Sequence, residues 1–351
     1  MSVRTVLGDP IEFSMPASTI LLLHDAVRPW GVKLHHLLSV IGLDERTVEA
    51  PEKRISMAQS AALVRRARGL TNEPGLGILI GLLIHPNSFG DLSFASQSAE
   101  TLGQSIDVTV RYAPILTTAF GLRLNRAQGM AGLVVEDMCD LGDTRDVFLL
   151  GILIGLRNVG CALTGREPWR PIDVAMAEPA YYRRFAHLVP ELRFDQPISQ
   201  IVLLESDLDI PLLTPDRAAL RLSAERCEQL LRALGGDAPL EHRILKVVLK
   251  DDGPISFDKT ATALGTSSRT LKRRLAEANV TFSELVETAR CERALLLMRA
   301  SSVSLDEVAE QLGYSTVSNF VRAFRRWTGT TPGVYRREIV GRLESHVPPR
   351  R

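Results

Sequence analysis

One unit of sequence occurs twice near the end of this chain. The segments "ISFDKTATALGTSSRTLKRRL" (255–275) and "VSLDEVAEQLGYSTVSNFVRAF" (303–324) match at an offset of 48, which becomes 49 after one extra residue in the second copy. The matched pairs are Ser256 and Ser304, Asp258 and Asp306, Ala261 and Ala309, Leu264 and Leu312, Gly265 and Gly313, Ser267 and Ser315, Leu271 and Phe320, Arg273 and Arg322, and Leu275 and Phe324. Because a repeated segment folds into the same supersecondary unit each time, the C-terminal part of the chain holds two copies of one unit.

Each copy predicts a helix, a tight turn and a second helix. Ser304 and Glu307 have the spacing of a capping box, which satisfies free backbone N–H groups at a helix start. Gly313 then ends this helix, Ser315 caps the next one, and Gly329 ends that one in turn. The equivalent points of the first copy are Gly265, Ser267 and Asn279. A short turn that begins with Gly between two helices is typical of a helix-turn-helix.

A further helix connects the two copies. The segment "TFSELVETARCERALLLMRAS" opens with another capping box, Thr281 to Glu284, and we expect its helix to cover residues 282–300. The segment "LEHRILKVVLK" (240–250) predicts a helix before the first copy. The C-terminal part is therefore expected to be an all-α bundle.

The last helix of the repeat, within "GYSTVSNFVRAFRRWTG" (313–329), has two unlike faces. Helical spacing places an apolar stripe on one side, made of Phe320, Ala323, Phe324 and Trp327. The opposite side is polar and basic, with Ser318, Arg322, Arg325 and Arg326. Such a face is either an ordinary solvated surface or a contact for a polyanion.

The charge distribution favours a polyanion. The formal net charge is only +1, but residues 241–351 hold 19 Lys and Arg against 13 Asp and Glu. Residues 1–240 hold 23 against 28. A basic part beside an acidic part indicates a nucleic-acid-binding module attached to a module with another task.

Residues 239–340 resemble the DNA-binding domain of the AraC/XylS family of bacterial transcription regulators, whose fold is two helix-turn-helix units joined by a long helix. The segment "SLDEVAEQLGYSTVSNFVRAFRRWTGTTPGVYRRE" carries the family signature at Ala309, Leu312, Gly313, Tyr314, Ser318, Phe320, Arg322, Phe324, Gly329, Pro332, Tyr335 and Arg336. Val317 departs from the polar residue that is often found early in this helix.

The resemblance implies that the second helix of each unit lies in the major groove of double-stranded DNA. The base-facing residues that it implies are Arg269, Lys272, Arg273, Val317, Ser318 and Arg322. Arg suits bidentate contact with guanine, while Val can only touch a thymine methyl group. The phosphate-facing residues that it implies are Ser267, Arg274, Ser315, Arg325 and Arg326, which would set the register without reading the sequence.

The chain before the repeat predicts an α+β domain over residues 1–235. We expect a hinge at 236–239, the DNA-binding domain at 240–340 and a C-terminal tail at 341–351. Within the first domain, helices are predicted near 18–28, 33–41, 57–69, 101–112 and 144–163, and strands near 121–127, 131–137, 172–177 and 200–205. The helix near 144–163 is apolar nearly all round, so it is expected to run through the core, where Gly151 and Gly155 would allow close packing.

Roughly residues 15–210 resemble, more loosely, the long N-terminal effector domain of an AraC subgroup that includes regulators answering to arginine, ornithine or other small metabolites. The matching stretches are "FGDLSFASQSAETLGQSIDVTVRYAPIL" and "EPAYYRRFAHLVPELRFDQPISQIVLLESDLDIPL". A small-molecule effector is the partner that this resemblance implies. Polar residues in apolar surroundings are candidates for its pocket: His85, Arg111, Tyr112, Glu136, Tyr181 and Tyr182.

Motifs of catalysis and metal binding are missing from the sequence. His35 and His36 are adjacent rather than at metal-ligand spacing, and "GLGILIG" (75–81) lacks the spacing of a dinucleotide loop. The four cysteines are scattered and are expected to be reduced thiols. We therefore predict no enzyme activity, no cofactor and no metal.

A stripe of apolar residues also lies next to the hinge. Its members, at spacings of four and three, are Leu220, Ala224, Cys227, Leu231 and Leu234. It would either pair two subunits as a homodimer or face the core of its own domain.

No targeting signal is evident at the N-terminus, and the apolar runs at 76–84 and 147–156 are about half of the ~20 residues that a membrane span needs. We therefore expect a cytoplasmic, nucleoid-associated protein without a membrane partner. Its predicted function is that of a sequence-specific DNA-binding transcription regulator that senses a small metabolite and contacts RNA polymerase if it is an activator. The alternatives are an enzyme or metabolite-binding protein with subsidiary DNA binding, and a regulator without an effector.

Overall fold

The computed structural model describes residues 13–50, 53–167, 170–234, 240, 244, 247–248, 256–277, 280–298 and 303–337. The chain divides into two compact units, Met1–Leu124 with Leu133–Asp237 and Asn125–Gly132 with Ala238–Arg351. The first, called the N-terminal unit, is a mixed α and β unit, and the second, called the C-terminal unit, is helical apart from Asn125–Gly132, which holds the ends of two strands and the turn between them. The two fold classes are those that the sequence predicts. The expected hinge at 236–239, the tail at 341–351 and Asn279 lie outside the described residues.

The N-terminal unit contains ten described helices. They are α1 (Thr19–Val27), α2 (Leu34–Leu38), α3 (Glu45–Glu49), α4 (Met57–Thr71), α5 (Leu76–Leu83), α6 (Gly90–Gln97), α7 (Leu102–Leu116), α8 (Arg145–Thr164), α9 (Tyr182–Phe185) and α10 (Arg217–Ala233). The predicted helices near 18–28, 57–69, 101–112 and 144–163 are confirmed within a few residues, whereas the helix near 33–41 is shorter. Short Gly-containing α5 and α6 were not predicted, because an apolar run of this length has no clear period.

Seven short strands form two sheets. The strands are β1 (Ser14–Pro16), β2 (Arg54–Ser56), β3 (Phe120–Ala127), β4 (Met130–Asp137), β5 (Ile172–Asp173), β6 (Leu192–Arg193) and β7 (Ser199–Leu204). β1 pairs with β2 in an antiparallel manner, and the larger sheet has the order β3-β4-β7-β5-β6. The β5–β6 pair is parallel, whereas β5 and β7 pair in an antiparallel manner. Two residues with positive φ, Gln128 and Gly129, make the tight turn between β3 and β4.

Close packing of α5 against α8 forms the centre of the N-terminal unit. A Cβ atom on Gly77 would lie 2.6 Å from the Cα atom of Val147, and one on Gly155 would lie 2.6 Å from Ile84 Cδ1. A Cβ atom on Gly151 would lie 3.5 Å from the Gly77 carbonyl oxygen. The prediction of close approach is therefore confirmed at Gly155, which meets Ile84 at the end of α5, whereas a side chain at Gly151 would make only ordinary contact.

The apolar character of α8 has a structural explanation. Gly142–Thr164 is long and apolar enough to cross a membrane by length and composition alone, with a mean hydropathy of 1.9. More than half of its most apolar window, 56%, is buried within the protein. The helix is a core element, as its sequence predicts.

The stripe on α10 packs within its own unit. Cys227 is fully buried, and Leu220, Ala224 and Leu231 pack beside it against a cluster on α6 and α7. Leu234, the last member of the stripe, is 38% exposed. The sequence left open whether this stripe pairs two subunits or faces the core of its own domain. Four of its five residues face the core.

Five helices of the C-terminal unit are described from end to end: α11 (Phe257–Ala263), α12 (Ser268–Glu277), α13 (Phe282–Leu297), α14 (Leu305–Gln311) and α15 (Val317–Thr328). Residues 332–337 are helical as well. The described positions of the segment predicted as a helix over 240–250, which include the buried Ile244 and Val248, are helical. The connecting helix α13 ends at Leu297, three residues before the predicted end.

The α5–α8 contact generates a stability prediction. Gly77→Ala places a methyl group against the backbone of Val147, and we expect it to lower the free energy of unfolding by about 1–3 kcal/mol. Gly69→Ala is the matched control, because Gly69 lies on exposed α4 surface with nothing within 4 Å of an added Cβ. There the change should be neutral or stabilising by up to about 1 kcal/mol. Thermal unfolding of the full chain distinguishes the two, and equal effects would contradict the packing described.

Candidate nucleic-acid interface and ligand cavity

The two repeated segments fold into the same backbone turn. The N–H of Gly265 donates to Thr262 O at 3.0 Å, and the N–H of Gly313 donates to Glu310 O at 2.9 Å. The next residue in each copy also donates to the equivalent Ala carbonyl, at 3.0 Å from Thr266 and at 2.9 Å from Tyr314. Both glycines have φ in the left-handed region, +66° and +72°. The repeat is thus conserved in the turn hydrogen bonds as well as in residue type.

The start of α14 is capped as predicted. The Ser304 hydroxyl accepts from the N–H of Glu307 at 3.2 Å, and the Glu307 carboxylate accepts from the N–H of Ser304 at 2.7 Å. The Glu307 carboxylate also accepts from the Ser304 hydroxyl. The hydrogen bond from the backbone N–H lowers the pKa of Glu307 most, and the one from the hydroxyl lowers it further. The capping box between Thr281 and Glu284 at the start of α13 forms in the same way.

The cap of α15 differs from the prediction. Thr316, not Ser315, is the N-cap residue, and its hydroxyl accepts from the N–H of Asn319 at 3.2 Å. The extra residue in the second copy moves the helix start by one position, so Thr316 replaces the expected serine. Ser315 Oγ instead accepts from the Asn319 side chain at 3.2 Å. In the first copy Ser267 caps α12 as predicted, by accepting from the N–H of Thr270 at 3.1 Å.

A buried aromatic stripe fixes the orientation of α15. Phe320 and Phe324 are fully buried, with ring centroids 5.6 Å apart. Phe324 also contacts Tyr335 at 5.2 Å, and Tyr314 lies 6.0 Å from Phe320. Edge-on and tilted ring contacts of this kind add to the free energy gained from burial. The stripe predicted from helical period is therefore the inner face of α15.

The opposite face of α15 is exposed and basic. Ser318, Arg322, Arg325 and Arg326 are all exposed, while Val317 is half-buried. Arg322 Nη2 donates to Asn319 Oδ1 at 2.6 Å, which holds the guanidinium along the first turn of the helix. The planar guanidinium group carries five N–H donors, which suit it to hydrogen bonds with guanine edges and phosphates.

The first copy presents an equivalent face on α12. Leu271 and Leu275 are buried at the positions that match Phe320 and Phe324. Arg269, Lys272, Arg273 and Arg274 are exposed on the other side, and Ser267 is exposed at the helix start. All predicted base-facing and phosphate-facing residues except Val317 therefore lie on exposed surface.

Arg326 and Trp327 link α15 to the connecting helix. Arg326 forms an ion pair with Glu287 on α13, and Trp327 Nε1 donates to the same carboxylate at 3.3 Å. Arg290, also on α13, lies with its guanidinium 5.2 Å from the Tyr314 ring centroid. Sequence spacing did not indicate these links, since their partners are 24 to 40 residues apart. They connect α15 and the turn before it to α13.

A cavity of about 190 Å³ lies inside the N-terminal unit. Its lining comes from β1, β2, β3, α1, α4, α5, α6, α7 and α8, together with the segment between α5 and α6. The side chains are aliphatic or aromatic apart from six that carry hydroxyls: Thr19, Ser60, Ser93, Ser96, Thr109 and Thr117. Among the described residues that line it, none is Asp, Glu, Lys, Arg or His.

None of the six predicted effector residues lines this cavity. His85 is exposed, and its Nδ1 accepts from the N–H of Asn87 at 3.2 Å. Arg111 and Tyr112 both bind the Glu228 carboxylate on α10, at 2.9 and 3.2 Å. The Arg111 guanidinium holds the pKa of Glu228 below its ordinary value.

The remaining three predicted residues are also engaged within the N-terminal unit. Glu136 forms an ion pair with the buried Arg123. Tyr181 Oη donates to Asp146 at 2.5 Å, and burial followed by this hydrogen bond raises the pKa of the Tyr181 phenol. The Tyr182 oxygen accepts from the N–H of Leu192 at 3.3 Å. The structure thus distributes the six over separate internal contacts and does not bring them together.

One part of the cavity lining follows a pattern that is visible in the sequence. One face of α8 contributes Phe148, Ile152, Leu156, Val159 and Leu163 to its lining, at spacings of four, four, three and four. This stripe is visible in the sequence, but α8 is apolar all round, so no contrast with a polar face marks the stripe as special.

Two family models match the chain. "Arabinose-binding domain of AraC transcription regulator, N-term" matches residues 31–212, and "Helix-turn-helix domain" matches residues 260–338. Together they cover most of both compact units.

Similar proteins are found along nearly the whole length. The ornithine utilization regulator of Pseudomonas aeruginosa is 29% identical, over 94% of this chain and 99% of the relative. An uncharacterized HTH-type transcriptional regulator of Mycobacterium tuberculosis is 25% identical, over 94% of this chain and 98% of the relative. The crystal structure of transcriptional regulator CdpR from Pseudomonas aeruginosa matches with 21% identity and a TM-score of 0.43, over 90% of this chain and 98% of the other.

The observed cap of α15 can be tested by two neighbouring substitutions. Thr316→Ala removes the hydroxyl that accepts from the N–H of Asn319, and we expect it to destabilise the C-terminal unit by about 1 kcal/mol. Ser315→Ala removes only a side-chain contact on the surface and should change stability by less than about 0.5 kcal/mol. Denaturant unfolding followed at Trp327 fluorescence, in a background where Trp30 and Trp169 are replaced by Phe, measures both, and a larger loss from Ser315→Ala would show that the cap is misassigned.

Proposed function

This chain belongs to the AraC family of transcription regulators, and we propose that it controls transcription by binding specific double-stranded DNA through both helix-turn-helix units while its N-terminal unit senses a small molecule. The similar full-length proteins are themselves transcriptional regulators. We assign no catalytic role to any residue. The proposed domains are 1–235 for sensing and dimerisation and 240–340 for DNA binding, joined by the hinge at 236–239.

The basic face of α15 is the observation that carries the proposal. Its buried aromatic stripe leaves the helix one orientation, in which Ser318, Arg322 and Arg325 face solvent. The same arrangement recurs on α12 with Arg269, Lys272 and Arg273, so the chain offers two exposed recognition helices rather than one. A single basic face would be an ordinary surface. Two such faces, each on the second helix of a helix-turn-helix, can each lie in a major groove.

The resemblance to the family divides these side chains into two sets. In such regulators the second helix of each unit reads base edges, so we assign base reading to Arg269, Lys272, Arg273, Val317, Ser318 and Arg322. Phosphate contact is assigned to Ser267, Arg274, Ser315, Arg325 and Arg326. The ion pair of Arg326 with Glu287 means that this residue would be shared between a phosphate and α13.

Further partners follow from the proposed function. We propose that the protein acts in the cytoplasm at the nucleoid, as a homodimer, and that it contacts RNA polymerase where it activates transcription. Because most of the α10 stripe packs within its own unit, a dimer would need another surface. Exposed apolar side chains such as Leu213 and Leu222, at 65% and 62% exposure, are candidates.

Paired substitutions on α15 test the division into base and phosphate contacts. Arg322→Ala should weaken binding to the preferred site by about 1–3 kcal/mol and relax preference at one base position. Arg325→Ala should weaken binding to all sequences alike and reduce the salt dependence by about one phosphate contact. Binding selections with randomised DNA measure the preference of each variant. An unchanged base preference after Arg322→Ala would contradict the assignment of α15.

The arrangement of the two units predicts the shape of the DNA site. The 16 residues of α13 rise about 24 Å, somewhat less than the ~34 Å that separates successive major grooves on one side of the duplex. One chain should therefore protect two short segments about one turn apart, or slightly closer on bent DNA, and a dimer should protect two such sites.

Hydroxyl-radical footprinting of the full chain on its genomic sites measures this spacing. Binding should also fall steeply as salt rises, because phosphate contacts release counterions. Protection of a single groove segment would mean that only one unit engages DNA. Salt-independent binding, or none, would overturn the proposed function.

A further inference from the structure

We propose that the effector of this protein is a small, neutral and largely apolar molecule, about the size of one aromatic ring, and that it binds in the cavity of the N-terminal unit. The inference rests on the proposed function in taking that unit as the sensing one. It names the chemical class of the ligand and its place in the fold, which the family by itself does not.

The uncovered face of α8 is the first argument. This helix is apolar nearly all round, yet its burial is incomplete, at 56% of the most apolar window. Phe148, Ile152, Leu156 and Val159, which are half-buried, form one stripe along the helix, and all four line the cavity. Phe148 also packs against the neighbouring core cluster, but the part of the stripe that faces empty space forgoes about 25 cal/mol per Å² of the free energy available from burial. An apolar ligand would supply the contact that the chain does not.

The volume is the second argument. An apolar protein cavity of about 150 Å³ is large enough to stay dry and to bind benzene. The cavity here, about 190 Å³, is somewhat larger, so it has room for one ring with a few further atoms. Longer or fused-ring molecules would exceed it without movement of the lining.

The absence of charge in the described lining is the third argument. An ionised group buried without a partner costs several kcal/mol, and the lining described above offers no charged side chain to compensate it. Free amino acids such as ornithine carry several charges at neutral pH, so they do not match this site. A neutral ligand avoids that penalty.

The hydroxyls limit how polar the ligand can be. Ser60 and Thr109 donate their protons to backbone carbonyls, at 3.1 and 2.9 Å, so toward a ligand they act as acceptors. Ser93 and Thr117 accept from backbone N–H groups at 3.0 and 3.1 Å, which retains their own protons for donation. One hydroxyl or carbonyl on the ligand can therefore be satisfied. This composition, mostly apolar with a few placed polar groups, is that of small-molecule sites in general.

Benzyl alcohol, a neutral ring with one hydroxyl, is the probe that tests the inference. We expect it to bind the full chain in calorimetric titration and to raise its melting temperature, since a ligand of the folded state stabilises it. L-ornithine at the same concentration should do neither. Binding of L-ornithine with no binding of benzyl alcohol would overturn the assignment of ligand class.

Two Val→Phe substitutions locate the bound probe. Val159→Phe puts a ring into the cavity, so binding of benzyl alcohol should weaken at least about tenfold. Val40→Phe is the matched control at a surface position, 47% exposed, and should leave binding unchanged. Equal binding by both variants would place the probe elsewhere and overturn the proposal.

A cavity-enlarging variant keeps the test decisive if Val159→Phe fails to fold. Ile152→Ala removes part of the lining, so the larger probe 2-naphthol should bind this variant at least about fivefold more tightly than the unmodified chain. No gain would count against the cavity.

Salt-dependent DNA binding, measured on the same preparations, separates the two proposals. If DNA binding persists but the probes fail, only the ligand class is wrong, whereas loss of DNA binding by the unmodified chain removes the proposed function itself.

Discussion

An apolar helix stripe has to be covered, and the surface that covers it decides where the rest of the helix faces. On α15, Phe320 and Phe324 are covered by protein, so the arginines lie on the opposite, exposed side, where Arg326 also pairs with Glu287 on α13. On α8, the glycine contacts with α5 cover one side, and a further stripe faces a cavity. One physical requirement thus accounts for the exposed basic face in the C-terminal unit and for the apolar lining of the cavity in the N-terminal unit.

The two copies of the helix-turn-helix share a backbone but differ in how they are held. The turn hydrogen bonds at Gly265 and Gly313 are the same within 0.1 Å, because the left-handed glycine and the following residue satisfy the last carbonyls of the first helix. The second copy adds the contacts of Arg326 and Trp327 with Glu287. Those contacts would hold α15 at a fixed angle to α13, which is what a reader of two successive grooves requires.

The sequence predicted the faces of the candidate DNA-contact helices much better than it predicted the lining of the cavity. The exposed and buried faces of α12 and α15 were predictable residue by residue, because helical period alone sorts them and a repeat confirms the register. The predicted effector residues were chosen for polarity in apolar surroundings. In the structure Tyr112, Glu136 and Tyr181 are bonded to Glu228, Arg123 and Asp146, since a polar group inside a folded unit is normally satisfied by the protein.

The sequence by itself determined the repeat, the caps at Ser304 and Thr281, the basic face of the second recognition helix and the core position of α8. Each of these depends on residues within a few turns of one another, where spacing and residue type suffice. Only the tertiary structure decided that α10 packs its stripe on α6 and α7, and that a cavity with no charged residue in its described lining lies beside α8. The partner of a helix face and the space left between helices arise from how distant segments pack, and local patterns carry no record of that packing.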